Sequence, residues 1–389
     1  MKQSVIAMTL LATASAPAFA GGIERRGDPS QIMFEEGRNY VEFSVTSVDP
    51  DVSGVPRAGT GGAPFAATGD IQDRYQNYAL GYKHELNDRV TLAFVIDEPV
   101  GADVTYRGPV AFGGGPFFGT SNASVESIRY TGMAKYKATE RFSVYGGLSY
   151  VGLNGDLTVI SPGTGGRTAT NPPPSTPPLP PAPGNEGRYS LSVNKDFQLG
   201  YMLGAAYEIP DIALRVALTY ESETEHEFDD NTGSPFEVKL PQSLTLHAQS
   251  GIAKNTLLFG SVRWREWSEF QVAPEDFFSF AAGPPGVTTP IAFGTEDIYT
   301  YRLGIGRRLN ENWSGAFILG YEEQTGNQVG NLEGTDGFFS YTAAVTHTME
   351  RLEVTGALSY VDIQDADTSV ASFSDNDAIA FGLKVGMKF

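Results

Sequence analysis

The strongest constraint on the fold lies in residues 240–270, LPQSLTLHAQSGIAKNTLLFGSVRWREWSEF. Successive side chains of an extended strand point to opposite faces. That period places Leu244, Leu246 and Ala248 on one face and Thr245, His247 and Gln249 on the other. Past a turn at Ala253-Lys254-Asn255-Thr256, Leu258, Val262 and Trp264 share a face, with Ser261, Arg263 and Arg265 opposite. One such hairpin could belong to a soluble sheet. Repeated along the whole chain, between alternately short and long connections, it describes a closed sheet with an apolar exterior and a polar interior: a transmembrane β-barrel.

Segments of this kind, each near the roughly ten residues a tilted strand needs to cross a bilayer, fall near 39–48, 75–86, 89–97, 124–138, 141–152, 190–208, 212–224, 240–253, 256–270, 296–309, 312–324, 336–348, 351–363 and 377–389. They predict an all-β, antiparallel transmembrane barrel of about 14 strands. The connections at 85–88, 138–141, 209–212, 253–255, 309–311 and 348–351 are tight, and those between them are long. Tight turns belong on the periplasmic side and long loops outside. An even strand count then puts both termini with the tight turns. Outward positions include Phe142, Val144, Leu148 and Tyr150; Ile212, Leu214, Val216, Leu218 and Tyr220; and Trp313, Phe317, Leu319 and Tyr321. The last strand alternates Ile379, Phe381, Leu383, Val385, Met387 and Phe389 against Ala380, Gly382, Lys384, Gly386 and Lys388. A terminal aromatic in such a strand resembles the signal read by the outer-membrane assembly machinery. That makes Phe389 the candidate assembly signal and the machinery a partner.

Residues 1–20 carry an early lysine, an apolar run and the small-residue end Ala18-Phe19-Ala20, the pattern of a secretory signal peptide cleaved before Gly21. Beyond it no apolar run reaches about 18 residues, which excludes a helical membrane span. A spanning chain must then close into a barrel. Export through the periplasm to the outer membrane of a Gram-negative cell follows, with outer-membrane lipid and lipopolysaccharide as surroundings. There are no cysteines, so disulfides and thiolate metal sites are impossible, and a formal charge of −19 argues against nucleic acid as a partner. Mean hydropathy is low because only every second strand residue meets lipid.

Residues 21–37, GGIERRGDPSQIMFEEG, are too polar for a spanning strand. Asp28-Pro29-Ser30 reads as a cap that starts a short helix over Gln31 to Glu36. This segment either folds into the lumen as a hatch or trails as a periplasmic tail. The barrel proper occupies 38–389, with a Pro-rich extracellular loop near 161–188 whose NPPPSTPPLPPAP run suits a stiff solvated loop or a docking site for a partner's aromatic groove. Gly59–Thr68, Val110–Phe118 and Phe277–Phe293 mix Gly and Pro with Phe, a composition for loops that pack over the barrel mouth.

No catalytic constellation emerges, and the chain is not expected to be an enzyme or to hold a cofactor or metal. His84, His226, His247 and His347 lack ligand spacing. His247 beside Ser243 or Ser250 is the one arrangement a barrel hydrolase could use. Arg129, Lys135, Arg215, Arg263, Arg265, Arg302, Lys384 and Lys388 share the lumen parity with Glu42, Glu208, Glu221 and Glu353. Most such cations pair with acids. Among Arg129, Arg215, Arg263, Arg265, Arg302 and Lys384, one or two could instead hold a ligand carboxylate. The third strand alternates cleanly through Val90, Leu92, Phe94 and Ile96, then meets Asp97-Glu98-Pro99-Val100-Gly101-Ala102. Either the wall kinks there, around Asp97, Pro99 and Gly101, or the strand ends and a loop begins.

Four stretches resemble the long-chain fatty acid transporter family, the FadL/TodX-type outer-membrane barrels. Arg38 to Gly54 is similar to the family's first strand and its "DPD" entry to the first loop. Leu240 to Phe270 is similar to its LP-x-SLTLG run followed by W-x-x-W-S-x-F, here Trp264, Trp267, Ser268 and Phe270. Asp28-Pro29-Ser30 stands where the family carries Asn-Pro-Ala at the end of its hatch, and Asp97 to Thr105 where it carries a kinked third strand. The hatch is shorter than usual for the family, and the polyproline loop is an elaboration.

The outer face, lipid-facing throughout with no flat polar interface, points to a monomer. The resemblance implies a barrel plugged by an N-terminal hatch that passively takes up long-chain fatty acids or aromatic and aliphatic hydrocarbons. Ligand would be caught on apolar loops, held in the lumen and released sideways through the third-strand kink. The alternatives are a general diffusion porin for small solutes and a surface adhesion or interaction barrel.

Overall fold

A computed structural model describes residues 22–57, 67–107, 121–161, 187–277, 290–368 and 371–389. The signal segment and the polyproline run lie outside the described residues, as do residues 58–66, 108–120 and 278–289 of the glycine-rich loops. Fourteen long strands form the wall: β1 (Asn39–Asp51), β2 (Tyr75–Glu85), β3 (Val90–Asp97), β4 (Asn122–Lys137), β5 (Phe142–Ser161), β6 (Gly187–Ile209), β7 (Leu214–Glu221), β8 (Ser243–Ala253), β9 (Thr256–Arg265), β10 (Ile298–Arg308), β11 (Trp313–Glu322), β12 (Phe338–Met349), β13 (Leu352–Ile363) and β14 (Asn376–Lys388). Each pairs antiparallel with its sequence neighbours. β14 closes the ring on β1, with Tyr40 opposite Lys388 and Asp51 opposite Asp377. Closure leaves no sheet edge, as a bilayer demands.

The tight turns share one end with the start of β1 and the end of β14. Asn87 and Asn310 each accept two backbone N–H bonds inside their own turns, and Asn255 tolerates a φ of 60°. At that end Phe389 exchanges backbone hydrogen bonds of 3.0 and 3.1 Å with Asn39. Phe389 itself is exposed on the outer wall. Outward side chains such as Leu148, Leu203, Phe317, Leu358 and Phe381 are exposed to the bilayer. Inward hydroxyls satisfy one another across strands, Thr342 with Ser359 at 2.6 Å and Thr346 with Thr355 at 2.7 Å.

Several boundaries differ from expectation, each for a local reason. The lumen helix is a 3-10 turn over Pro29–Phe34, not Gln31 to Glu36. Its start is fixed by Asp28, whose carboxylate accepts the Ser30 N–H at 2.7 Å, with Pro29 preset at the first position. Ile212 lies in the turn Pro210–Ile212 rather than in β7. The stretch 212–224 ends its wall strand at Glu221, and Thr224–Asp229 pairs with Pro235–Leu240 as a separate hairpin at the loop end. That hairpin takes Leu240 out of β8. β9 stops at Arg265 because Trp267 turns inward on the single turn Trp267–Glu269 and packs edge-on against Phe270 at 5.4 Å. The hairpin, the Trp267 turn and residues near 330–373 build one apolar cluster across the loop end of the barrel, including Phe228, Phe236, Leu332, Phe338 and Phe373.

Candidate functional site

The site has three levels, and the lowest is a plug. Ile32, Met33 and Phe34 pack inside the barrel with Tyr40, Val95, Met133, Tyr145 and Met202. A Cβ at Gly81 would overlap Ile32 Cδ1, so a side chain there would force Ile32 to repack. Four lumen lysines then hold the end of the segment. Lys135 Nζ donates to the Met33 carbonyl at 2.5 Å, and Lys83 Nζ to the Glu35 and Gly37 carbonyls at 2.8 and 2.5 Å. Lys384 sits 3.3 Å from Glu35 and 3.0 Å from Glu42, and Lys388 sits 3.1 Å from Glu36 and 2.8 Å from Glu353. Each buried ammonium thus has charged or carbonyl acceptors.

Above the plug lies a belt of ion pairs into which the N-terminal segment inserts. Arg129 grips Asp97 through two bonds of 2.8 and 2.7 Å, reaches Glu221 at 2.8 Å and donates to the Gly27 carbonyl at 3.0 Å. Arg263 bridges Glu221 at 3.0 Å and Glu24 at 3.1 Å, and Arg265 meets the same Glu24 at 2.8 Å. Asp28 lies 3.3 Å from His247. Four of the six candidate carboxylate binders, Arg129, Arg263, Arg265 and Lys384, therefore already hold the chain's own acids. Arg215 donates to Gln31 at 3.4 Å and lies 4.5 Å above the Phe34 ring. Among the described residues, neither Arg215 nor Arg302 has a carboxylate at ion-pair distance. Ser243 bonds Glu221 at 3.2 Å rather than His247.

The third level is the kink. From Asp97 to Gly101 the third strand takes four steps while its partner β4 takes three, from Arg129 to Glu126. One extra residue bulges, yet the strand continues as Gly101–Thr105 along β4. On the other side the ladder to β2 stops at the Ala79–Asp97 pair and resumes only at the bridge between Gln72 and Val104. Proline removes the donor at 99. The N-terminal segment takes over the vacated partners: Arg25 N–H donates to the Pro99 carbonyl and Gly101 N–H to the Ile23 carbonyl, both at 2.9 Å. The Arg25 side chain fills the interruption, bonding the Gly101 carbonyl at 2.9 Å with its guanidinium 3.0 Å above the Tyr75 ring. A Cβ on Gly101 would stand 3.0 Å from Arg25 Nε and 3.3 Å from the Val125 carbonyl, so a side chain there would push the guanidinium back by a few tenths of an ångström.

Between kink and mouth lies a cavity of about 840 Å³, counted to its open rim. Ile23 and Ala102 line it at the kink, and Val125, Leu153, Leu191, Phe228, Phe236, Val238 and Phe270 form its walls. Its apolar walls suit a small hydrophobic ligand.

The model of the outer membrane protein transport protein family (OMPP1/FadL/TodX) matches residues 11–315. The chain belongs to this family. It is an outer-membrane β-barrel of a transport family. A FadL homologue of Pseudomonas aeruginosa has the same fold, with a TM-score of 0.71 at 15% identity over 96% of this chain and 97% of that one. The toluene transporter TodX of Pseudomonas putida gives 0.62 at 13% identity over 93% and 92%. The toluene transporter TbuX of Ralstonia pickettii gives 0.60 at 13% over 93% and 92%. A search of curated protein sequences finds no match.

Sequence reasoning singled out Asp97, Pro99 and Gly101 but missed Glu24, Arg25 and Tyr75. The signal was present in Glu24-Arg25-Arg26, a charged triplet ahead of a barrel whose lumen face carries charges of both signs.

Proposed function

We propose that the barrel passively takes up long-chain fatty acids or aromatic and aliphatic hydrocarbons, releasing them sideways into the outer membrane at the third-strand kink. The observation that carries this reading is the coincidence of the apolar cavity with the broken β2–third-strand ladder, above a lumen occupied by the anchored Pro29–Phe34 plug. A hydrophobic solute that leaves toward lipid never enters the aqueous periplasm and gains its transfer free energy at once. Arg25 and its neighbours occupy the route, so release requires the 23–26 segment to shift while Lys83, Lys135, Lys384 and Lys388 keep the lower plug in place. Asp28, Pro29 and Ser30 are the joint between these two parts. Arg215 and Arg302 are the remaining lumen cations that a carboxylate head group could reach.

Uptake of labelled long-chain fatty acid and labelled toluene by cells tests the reading. Gly101→Val combined with Pro99→Ala should assemble normally but lower uptake by more than about tenfold, since one methyl group already crowds both Arg25 and the Val125 carbonyl. Deleting 22–36 should turn the barrel into an ion-conducting pore. Large conductance by the intact barrel without hydrophobic uptake would favour a general porin instead. Loss of cell or ligand attachment on loop deletion, with no uptake to lose, would favour an adhesion barrel.

A further inference from the structure

We propose that the mouth cavity admits uncharged hydrophobic molecules and turns away carboxylates, with Glu333 as the residue that sets the preference. This rests on the uptake reading above and narrows its ligand class. Among the described residues lining the cavity, the charged ones are Glu333 and Asp156; no lysine, arginine or histidine is present. An anionic head group entering an apolar cavity needs a cation or several donors to replace its water. Here it would meet Asp156 and the Glu333 carboxyl, with no cation among the described lining residues. The lumen cations that could serve it lie lower in the barrel, and most are held by Glu24, Glu221, Asp97, Glu35 and Glu42.

Glu333 forms the partition between this cavity and two smaller ones. Its carboxylate accepts the Gly330 N–H at 3.3 Å, and no cation lies within ion-pair distance among the described residues. The second cavity adds Glu296, Glu322 and Asp336 on one side of it. The third brings Arg25, Asp73 and Asp103 on the other, with Arg25 already committed to Gly101 and Asp103. Burial, reinforced by Asp336 and only partly offset by the Gly330 and Phe293 N–H groups, pushes the carboxyl up to about 8. A protonated Glu333 adds no charge to the cavity and can exchange hydrogen bonds with a ligand hydroxyl.

The test is binding of 1-dodecanol and dodecanoate, and of toluene and benzoate, to the purified full-length mature barrel in detergent of unrelated head group. At pH 7 each neutral partner should bind at least about a hundredfold tighter than its carboxylate. Dodecanoate should gain affinity as pH falls through its own pKa of about 4–5. Toluene binding should weaken above pH 8 in the wild type and stay flat in Glu333→Gln, a volume-conserving change that keeps the backbone bond. Glu333→Lys should raise dodecanoate affinity by more than about tenfold. Equal affinity for dodecanol and dodecanoate at pH 7 would overturn the ligand-class inference and leave hydrophobic uptake standing. Failure of all four compounds to bind would overturn both.

Discussion

Truncating Phe34 to alanine should unlock the plug without dissolving the barrel. The ring is buried, meets Tyr145 edge-on at 5.7 Å, and lies between Lys135 Nζ at 4.2 Å and the Arg215 guanidinium at 4.5 Å. Removing a packed phenyl group costs about 3–5 kcal/mol. The aromatic contact and the two cation–π contacts, at about 0.5–1.5 and 0.5–2 kcal/mol each, are lost in the same step rather than added to it. The wall is closed by fourteen strands' worth of backbone hydrogen bonds that Phe34 does not join, so the loss falls on local opening of the plug. About 3 kcal/mol multiplies the open population by more than about a hundred. Hydrogen exchange at amides 30–36 should therefore accelerate by that factor, while exchange in β12 and β13 stays unchanged. In planar bilayers the variant should show conducting bursts absent from the wild type. Phe34→Leu should recover part of the protection. If exchange at 30–36 rises less than about fivefold, the aromatic anchor is not what holds the plug and the lysine contacts alone suffice.

Other perturbations separate the remaining parts. Asp97→Ala leaves Arg129 half-matched in the lumen and should cost about 3–5 kcal/mol in thermal or denaturant unfolding, most of it recovered in Asp97→Leu with Arg129→Met. For Glu333, the folded pKa of about 8 lies above the ordinary carboxyl value of 4.5. Its stabilising contribution is then complete below about pH 4.5 and lost as pH rises through 8, so Glu333→Gln should melt higher than wild type at pH 9 and equally at pH 4. Phe389→Ala keeps the backbone bonds to Asn39, so if Phe389 is read by the assembly machinery, insertion yield should fall while the melting point of assembled barrel does not.

The wall was legible because one face of every strand answers to lipid. Alternation in β5, β11 and β14 fixes register without any tertiary knowledge, since a one-residue slip would put Leu148, Phe317 or Phe381 into the polar lumen. Legibility fails where strands leave the bilayer. Trp264 and Trp267 read as one aromatic strand, but only Trp264 stays on β9, its indole bonded to Asp297 at 3.0 Å; Trp267 belongs to the mouth cluster. Beyond the membrane no alternation rule distinguishes a continuing strand from a hairpin that folds over the opening.

The site was half legible for a related reason. Proline and glycine at 99 and 101 announce a local break in the ladder, because their effects are carried by their own backbone. What fills the break is non-local: Arg25 reaches Gly101 from 76 residues away, and the chain between holds nothing that pairs them by spacing. Parity likewise turned Arg129, Arg263 and Arg265 inward but left their partners open. Glu24 arrives from the plug segment to meet two of them, and Asp97, read as part of the kink, is the bidentate partner of the third. The broken wall and the charged lumen are therefore one construction. The same short segment that neutralises Arg263 and Arg265 with Glu24 lays Arg25 into the gap one residue later, so on the proposed lateral route a shift of that segment also separates buried charges. That coupling places a cost on opening that an apolar ligand near Ile23 and Ala102 can offset only by binding better to the displaced arrangement.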